Sequence, residues 1–280
     1  AGGRSLVVLG LGRLCHGRVL LDAAAPRGGG VGAGQCRTWD NRGMSEQPAS
    51  TDALVLRLTD ERAVRDLEQL AQRARRVVDT GMRLHVVPRA GRSGTPMLAQ
   101  WVSVLQPQGL GDGVPVVLGL RTVGLATAEG VADLDAVVPL GSITERTARM
   151  RAQDPVSLDL ALPPTREQAA WTALTPPRAG WTVRAEVSDD ELIEVAVKGA
   201  DAVRQALPQD SGDAVVRQVR AQMWGPTLGG DIAFPAGMAF GAHALGFLRP
   251  GGRARLSTAG PWTRLDTPGG FVLGRSAVAL

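Results

Sequence analysis

Residues 213–225 (DAVVRQVRAQMWG), 235–248 (PAGMAFGAHALGFL) and 253–275 (RARLSTAGPWTRLDTPGGFVLGR) are the stretch on which the reading of this chain turns. The first predicts a helix from about Asp213 to Trp224, stopped by Gly225-Pro226. The second predicts a helix beginning at Pro235, a residue tolerated at the first helical position. Gly237 and Gly241 lie four apart on it, a strip of small residues that another backbone could approach closely. The third predicts strands at about 253–258, 262–266 and 271–275, joined by the turn residues Ala259-Gly260-Pro261 and Thr267-Pro268-Gly269-Gly270.

Upstream of these, Ser188 and Glu191 form a capping box for a further helix. Its apolar positions are Leu192, Val195, Ala196, Val203 and Leu207, and Pro208 ends it. Three helices followed by a small sheet give the order of a winged-helix domain, and residues 186–280 are read as such a helical domain with a C-terminal hairpin. That analogy is architectural and carries no function of its own.

Residues 53–152 read as a second module. ALVLRL at 53–58 suits a strand, and Thr59 can cap the helix that follows. Val64, Leu67, Leu70, Ala71, Ala74, Val77 and Val78 then recur at the spacing of one buried helical face. Strands are expected at 82–87, 97–105, 114–123 and 134–138, and Ser142 with Glu145 suggests a capping box for a short helix ending near Arg151. The fold class expected is therefore α+β: an N-terminal, mainly antiparallel sheet with a packed helix, then a winged-helix-like C-terminal domain of three helices and a small β-sheet. Periodicity stops over residues 153–185. Pro155, Pro163, Pro164, Pro176 and Pro177 mark a Pro-rich connection, while the bulk of Trp171 and Trp181 predicts that it docks rather than swings free.

Composition limits the chemistry. The 280 residues are 44% hydrophobic, enough for a substantial core. Six arginines against Asp22 and Asp40 in residues 1–43 account for the whole formal charge of +4, which leaves the remainder neutral and without a global field toward nucleic acid or membrane. Both cysteines, Cys15 and Cys36, lie in that same segment, so no disulfide can staple the rest. Residues 1–43 lack apolar periodicity. We read 1–52 as a non-native or disordered extension, with Met44 as the natural start. The rival reading is a targeting peptide with LVVLGLGRL as its apolar core. No later run has the length of a membrane span, and a cytoplasmic protein without membrane contact is expected.

ALVLRL, the LGLR of 118–121, DLDAVVPL at 133–140, PPRAGW at 176–181, MWGPTL at 223–228 and GPWTRLDTPGGFVLGR at 260–275 together resemble a group of uncharacterised proteins from high-GC actinobacteria. The resemblance spans about 44–275. It implies no activity, and no catalytic residue follows from it.

Candidate sites are sparse. Gly10, Gly12 and Gly17 miss the spacing of a dinucleotide loop, and Cys15, His16 and Cys36 fall short of a zinc set. Ser93 in GRSGT lacks the second glycine of a nucleophile elbow and reads as a turn. His85 on a strand and His243 on a helix have no local partner, and Asp189, Asp190 and Glu191 read as a helix N-terminus. No catalytic residue, cofactor or metal is assigned, and the chain is read as leaning away from an enzyme. Residues 186–231 carry nine acids against Lys198, Arg204, Arg217 and Arg220, whereas 249–275 carry Arg249, Arg253, Arg255, Arg264 and Arg275 against Asp266. Two functions follow. The first is a non-catalytic protein that binds a protein partner or assembles with itself, with Gly237 and Gly241 as one contact face. The second is a nucleic-acid binder using Arg253, Arg255 and Arg264 as a basic wing, with the pairing of those arginines to acids of the same chain as the simpler explanation.

Overall fold

The computed structural model describes residues 54–277 apart from 79–80, 91–93, 110, 208–210 and 230–232. The expected extension at 1–52, with its glycines, cysteines and His16, lies outside the described residues, as does Ser93.

The chain runs β1 (Val55–Arg57), α1 (Glu61–Arg75), β2 (Met82–Ala90), β3 (Thr95–Leu105), β4 (Val116–Gly124), β5 (Asp135–Val138), α2 (Leu140–Arg151) and β6 (Asp159–Ala161). A 3-10 turn at Ala170–Ala173 follows, then β7 (Thr182–Ser188), α3 (Asp189–Ala206), α4 (Asp213–Trp224), β8 (Thr227–Leu228) and β9 (Phe234–Pro235). The chain closes with α5 (Gly237–Ala244), β10 (Arg253–Ala259), β11 (Trp262–Thr267) and β12 (Gly270–Arg275).

Two local expectations change. The first helix is capped by Asp60, whose Oδ1 accepts from the Ala63 amide at 2.8 Å, rather than by Thr59. The second begins at Leu140 after Pro139, which draws Ser142 into the first turn and leaves the helix without a side-chain cap. Ser188, by contrast, caps α3 by accepting from the Asp190 amide.

The larger correction concerns fold class. The C-terminal strands do not form a separate winged-helix sheet. They continue the N-terminal one, in a single eight-stranded antiparallel sheet ordered β5-β2-β3-β4-β12-β11-β10-β7. The junction is β4 with β12, in register from Leu120↔Phe271 to Val116↔Arg275. Both strands are apolar on successive residues, as strands covered on both faces must be.

One face carries the helices. Val64, Leu67 and Leu70 of α1, Leu192 of α3, and Met238, Ala239 and Ala242 of α5 belong to one core with Leu84, Val102, Val117, Val272 and Leu265 of the sheet. The helix expected to begin at Pro235 starts at Gly237, and it is buried on the sheet. Glycines make that approach possible. A Cβ on Gly119 would collide with the Leu245 side chain, and one on Gly274 with Met238. Arg73 of α1 reaches across to the end of α5 and donates to the carbonyls of Leu245 and Gly246 at 3.0 and 3.1 Å. It supplies a cation where the helix dipole is negative.

The opposite face holds a smaller cluster: Val116, Leu118, Leu273 and Trp262 of the sheet with Trp171 from the Pro-rich connection. The connection is therefore a strap lying across the bare face of the sheet. Trp171 is 3% exposed, and that burial is what anchors it.

Candidate ligand-binding cleft

A cleft of about 380 Å³ opens between the end of the strap and the sheet face beneath it. Strand alternation assembles it, since residues two apart share a face. From β2 come Arg83, His85, Val87 and Arg89; from β3, Ala99 and Trp101; from β4, Leu120 and Thr122. Arg264 of β11 and Phe271 and Leu273 of β12 complete the sheet side, and Thr175, Pro176, Pro177, Arg178 and Trp181 form the strap side. The floor is apolar and aromatic while its cations come from several elements, the usual make-up of a binding site.

A polar network borders the cleft. Arg83 donates from Nε and Nη2 to the two oxygens of Asp135, each at 2.6 Å, and its Nη1 lies 3.5 Å from the Thr172 carbonyl on the strap. This bidentate pair holds the Asp135 carboxyl below the ordinary carboxylate range and raises the Arg83 guanidinium above its own. His85 sits between Asp135, 3.5 Å from Nδ1, and Arg178, 3.5 Å from Nε2. Burial lowers the His85 pKa. Asp135 pushes the other way, and Arg178 and Arg83 add to the lowering. A guanidinium only donates, so the contact with Arg178 uses Nε2 of the neutral ring as acceptor, while Nδ1 is buried 3.5 Å from Asp135 without a hydrogen bond among the described residues.

That tautomer bears on chemistry. A His–Asp pair in a cleft could serve a nucleophile, but here the basic nitrogen is directed at Arg178 and not at a hydroxyl. The geometry describes a polar wall of the cleft. A pH effect follows. The folded pKa of His85 lies below the ordinary histidine value of 6.5, as does that of His243 through burial. The unfolded chain therefore binds more protons below that value, and the stability contributed by the neutral rings is present above it and lost as pH falls through the folded pKa values. Thermal unfolding across this range should show Tm decreasing as the buffer is acidified, with a shallower decrease in His85→Gln. A steeper decrease in that variant would contradict the assignment.

Arg264 lies 4.5 Å from the Trp181 ring centroid and 5.5 Å from that of Phe271. It pairs through both oxygens with Asp266, its Nη2 donating at 2.8 Å. Trp181 is fixed in turn by its Nε1, which donates to the Pro177 carbonyl at 3.0 Å. Arg89 and Arg178 are both exposed. Neither forms a salt bridge among the described residues, although Arg178 helps hold the Asp135 carboxyl low.

The expected interaction residues are thus dispersed. Arg264 is in the cleft, while Arg253 sits toward the β7 edge and pairs with Glu186 at 3.0 Å. Arg255 is exposed on β10. The wing is corrected to interior strands of one sheet, so the arginines do not project on a free hairpin. Gly237 and Gly241 face Leu105, Trp224, Val117 and Val272, so the close approach they allow is to this chain's own sheet and helices. Asp189 and Asp190 accept from the backbone amides of Arg249 and Gly251 as well as standing at a helix N-terminus, which explains the acidic cluster as a clamp on that turn. Sequence reading missed Arg83, Asp135, Arg178 and Trp181 as a group. Arg83 and Asp135 are 52 residues apart. The available signal was the Arg83, His85, Val87, Arg89 alternation, which places two cations and an imidazole on one face of a strand.

Residues 51–171 match the model of a domain of unknown function (DUF8010), and residues 176–279 match that of another (DUF8185). No curated protein matches the chain. Among solved structures it is similar to Caulobacter crescentus pol III beta, with 14% identity and a TM-score of 0.47 over 82% of this chain and 68% of that one. It is likewise similar to the DNA polymerase sliding clamp of Caulobacter crescentus, with 14% identity and a TM-score of 0.41 over 86% and 69%. No helix among the described residues is long and apolar enough to cross a membrane.

Proposed function

We propose that this is a non-catalytic cytoplasmic protein that acts by holding a protein partner, and that the cleft between strap and sheet is where it does so. The observation that carries this reading is the cleft's composition. Trp101, Leu120 and Phe271 remain only partly covered, and cations border them. Partly covered aromatic residues beside arginines are the residue types that dominate binding energy at protein interfaces. The reading also takes the chain to be of actinobacterial kind, as the quoted motifs suggest.

The test is comparative capture. Immobilised wild-type chain and a Trp101→Ala variant, checked for folding by circular dichroism, would be incubated with native lysate and the retained proteins quantified. At least one protein held by the wild type should fall about tenfold or more with the variant, as expected when an interface anchor is truncated. Identical retention by the two chains would contradict the proposal.

A further inference from the structure

We infer that the cleft takes an extended acidic segment of the partner, in which carboxylates alternate with bulky apolar side chains. The inference rests on the binding reading above and specifies the chemistry it leaves open.

Charge comes first. Of the four guanidiniums lining the cleft among the described residues, Arg83 is committed to Asp135 and Arg264 to Asp266. Arg89 and Arg178 form no salt bridge among the described residues, Arg178 sharing only the longer-range field of Asp135, and no Asp or Glu is among the described residues that line the cleft itself. Arg178 lies 3.5 Å from the neutral His85 ring and shares the field of Asp135 with Arg83, so one carboxylate faces two guanidiniums and the balance stays positive. A ligand bearing carboxylates supplies the missing countercharge, and a carboxylate suits the planar fork of a guanidinium.

Shape comes second. Arg89 and Arg178 are exposed and free of salt bridges among the described residues, while the floor is aliphatic and aromatic, so one ligand must offer acidic and apolar groups on alternate positions. An extended peptide does this with its period of two. A single nucleic-acid strand also combines negative charge with rings, but it needs open aromatic faces and a track of cations. Here the rings of Trp181 and Phe271 already stack with Arg264, and two guanidiniums without salt bridges among the described residues do not make a track.

The probe is a capped, fluorescein-labelled hexapeptide of alternating glutamate and leucine, titrated with the full chain and read by fluorescence polarisation. Controls are the same peptide with lysine for glutamate, the same with serine for leucine, and a labelled oligothymidylate. Saturable binding of the first peptide is expected, weakening as salt rises. Both peptide controls should bind at least about tenfold more weakly, and so should the first peptide to Arg178→Glu or Arg89→Glu. Both arginines are exposed, so these variants keep the fold. Equal binding of the lysine peptide, indifference to both substitutions, or tighter binding of oligothymidylate would each overturn the inference. If the hexapeptide fails while Trp101→Ala still loses a captured protein, the acidic segment is wrong and the binding reading stands. If both fail, both fall.

Discussion

Phe247→Ala is expected to lower the unfolding free energy by about 3–5 kcal/mol, the range for removing a buried aromatic ring from a core. Phe247 is fully buried, and its ring edge stands against Gly270 at the start of β12, where an added Cβ would lie 2.8 Å from it. The same core contains Leu67 of α1 and Leu84 of β2 at the other end of the sheet. The loss should therefore appear as one cooperative transition at lower denaturant, with fluorescence and circular dichroism shifting together. Two separated transitions, of which the variant moves only one, would show that the β4–β12 junction does not bind the halves into a single unit.

The second large effect concerns the strap. Trp171→Ala should cost about 3 kcal/mol, at the low end for a buried tryptophan because the strap can lift and let the site relax. Trp171→Phe should cost much less. The indole Nε1 of Trp171 is buried without a partner among the described residues, so replacing it removes a desolvated donor along with some packing. Trp171→Ala should also release the strap from the sheet, leaving Arg178 and Trp181 without fixed positions. Limited proteolysis checks this: cleavage within residues 163–181 should accelerate in the alanine variant and not in the phenylalanine variant. Equal protection in all three chains would mean that Trp171 does not anchor the segment.

Much of the local structure was legible in the sequence, and the way it joins was not. The turn residues at 259–261 and 267–270 and the alternation between them place the last three strands correctly, since a hairpin's register is written in its own few residues. Ser188 marks the start of α3 for the same reason. The pairing of Leu118 with Leu273 has no local trace. Alternation reveals which side of a strand is apolar and says nothing of which strand lies beside it. One hint was present. VVLGL in β4 and GFVLG in β12 are apolar on both faces, which an edge strand of a small separate sheet would not be. β7 went unread because TVRAEVS mixes charge with valine and follows Pro176 and Pro177. It is one of the two edge strands, and its charges and the irregularity opposite Leu256/Ser257 suit an edge that resists further pairing. The candidate site suffered similarly. His85 looked isolated because Asp135 and Arg178, the groups that give it a role, arrive from β5 and from the strap.

The account centres on one claim, that the strap-covered face of the sheet is a binding cleft for an acidic partner segment. The most direct measurement is fluorine NMR of the 5-fluorotryptophan-labelled chain during titration with the glutamate–leucine hexapeptide. Trp101 and Trp181 line the cleft, whereas Trp224 is buried on the helical side and stacks on Phe240. The resonances of Trp101 and Trp181 should move together and saturate while that of Trp224 stays in place. A titration that moves Trp224 and leaves the cleft pair unchanged, or that moves none of the three, would contradict the account.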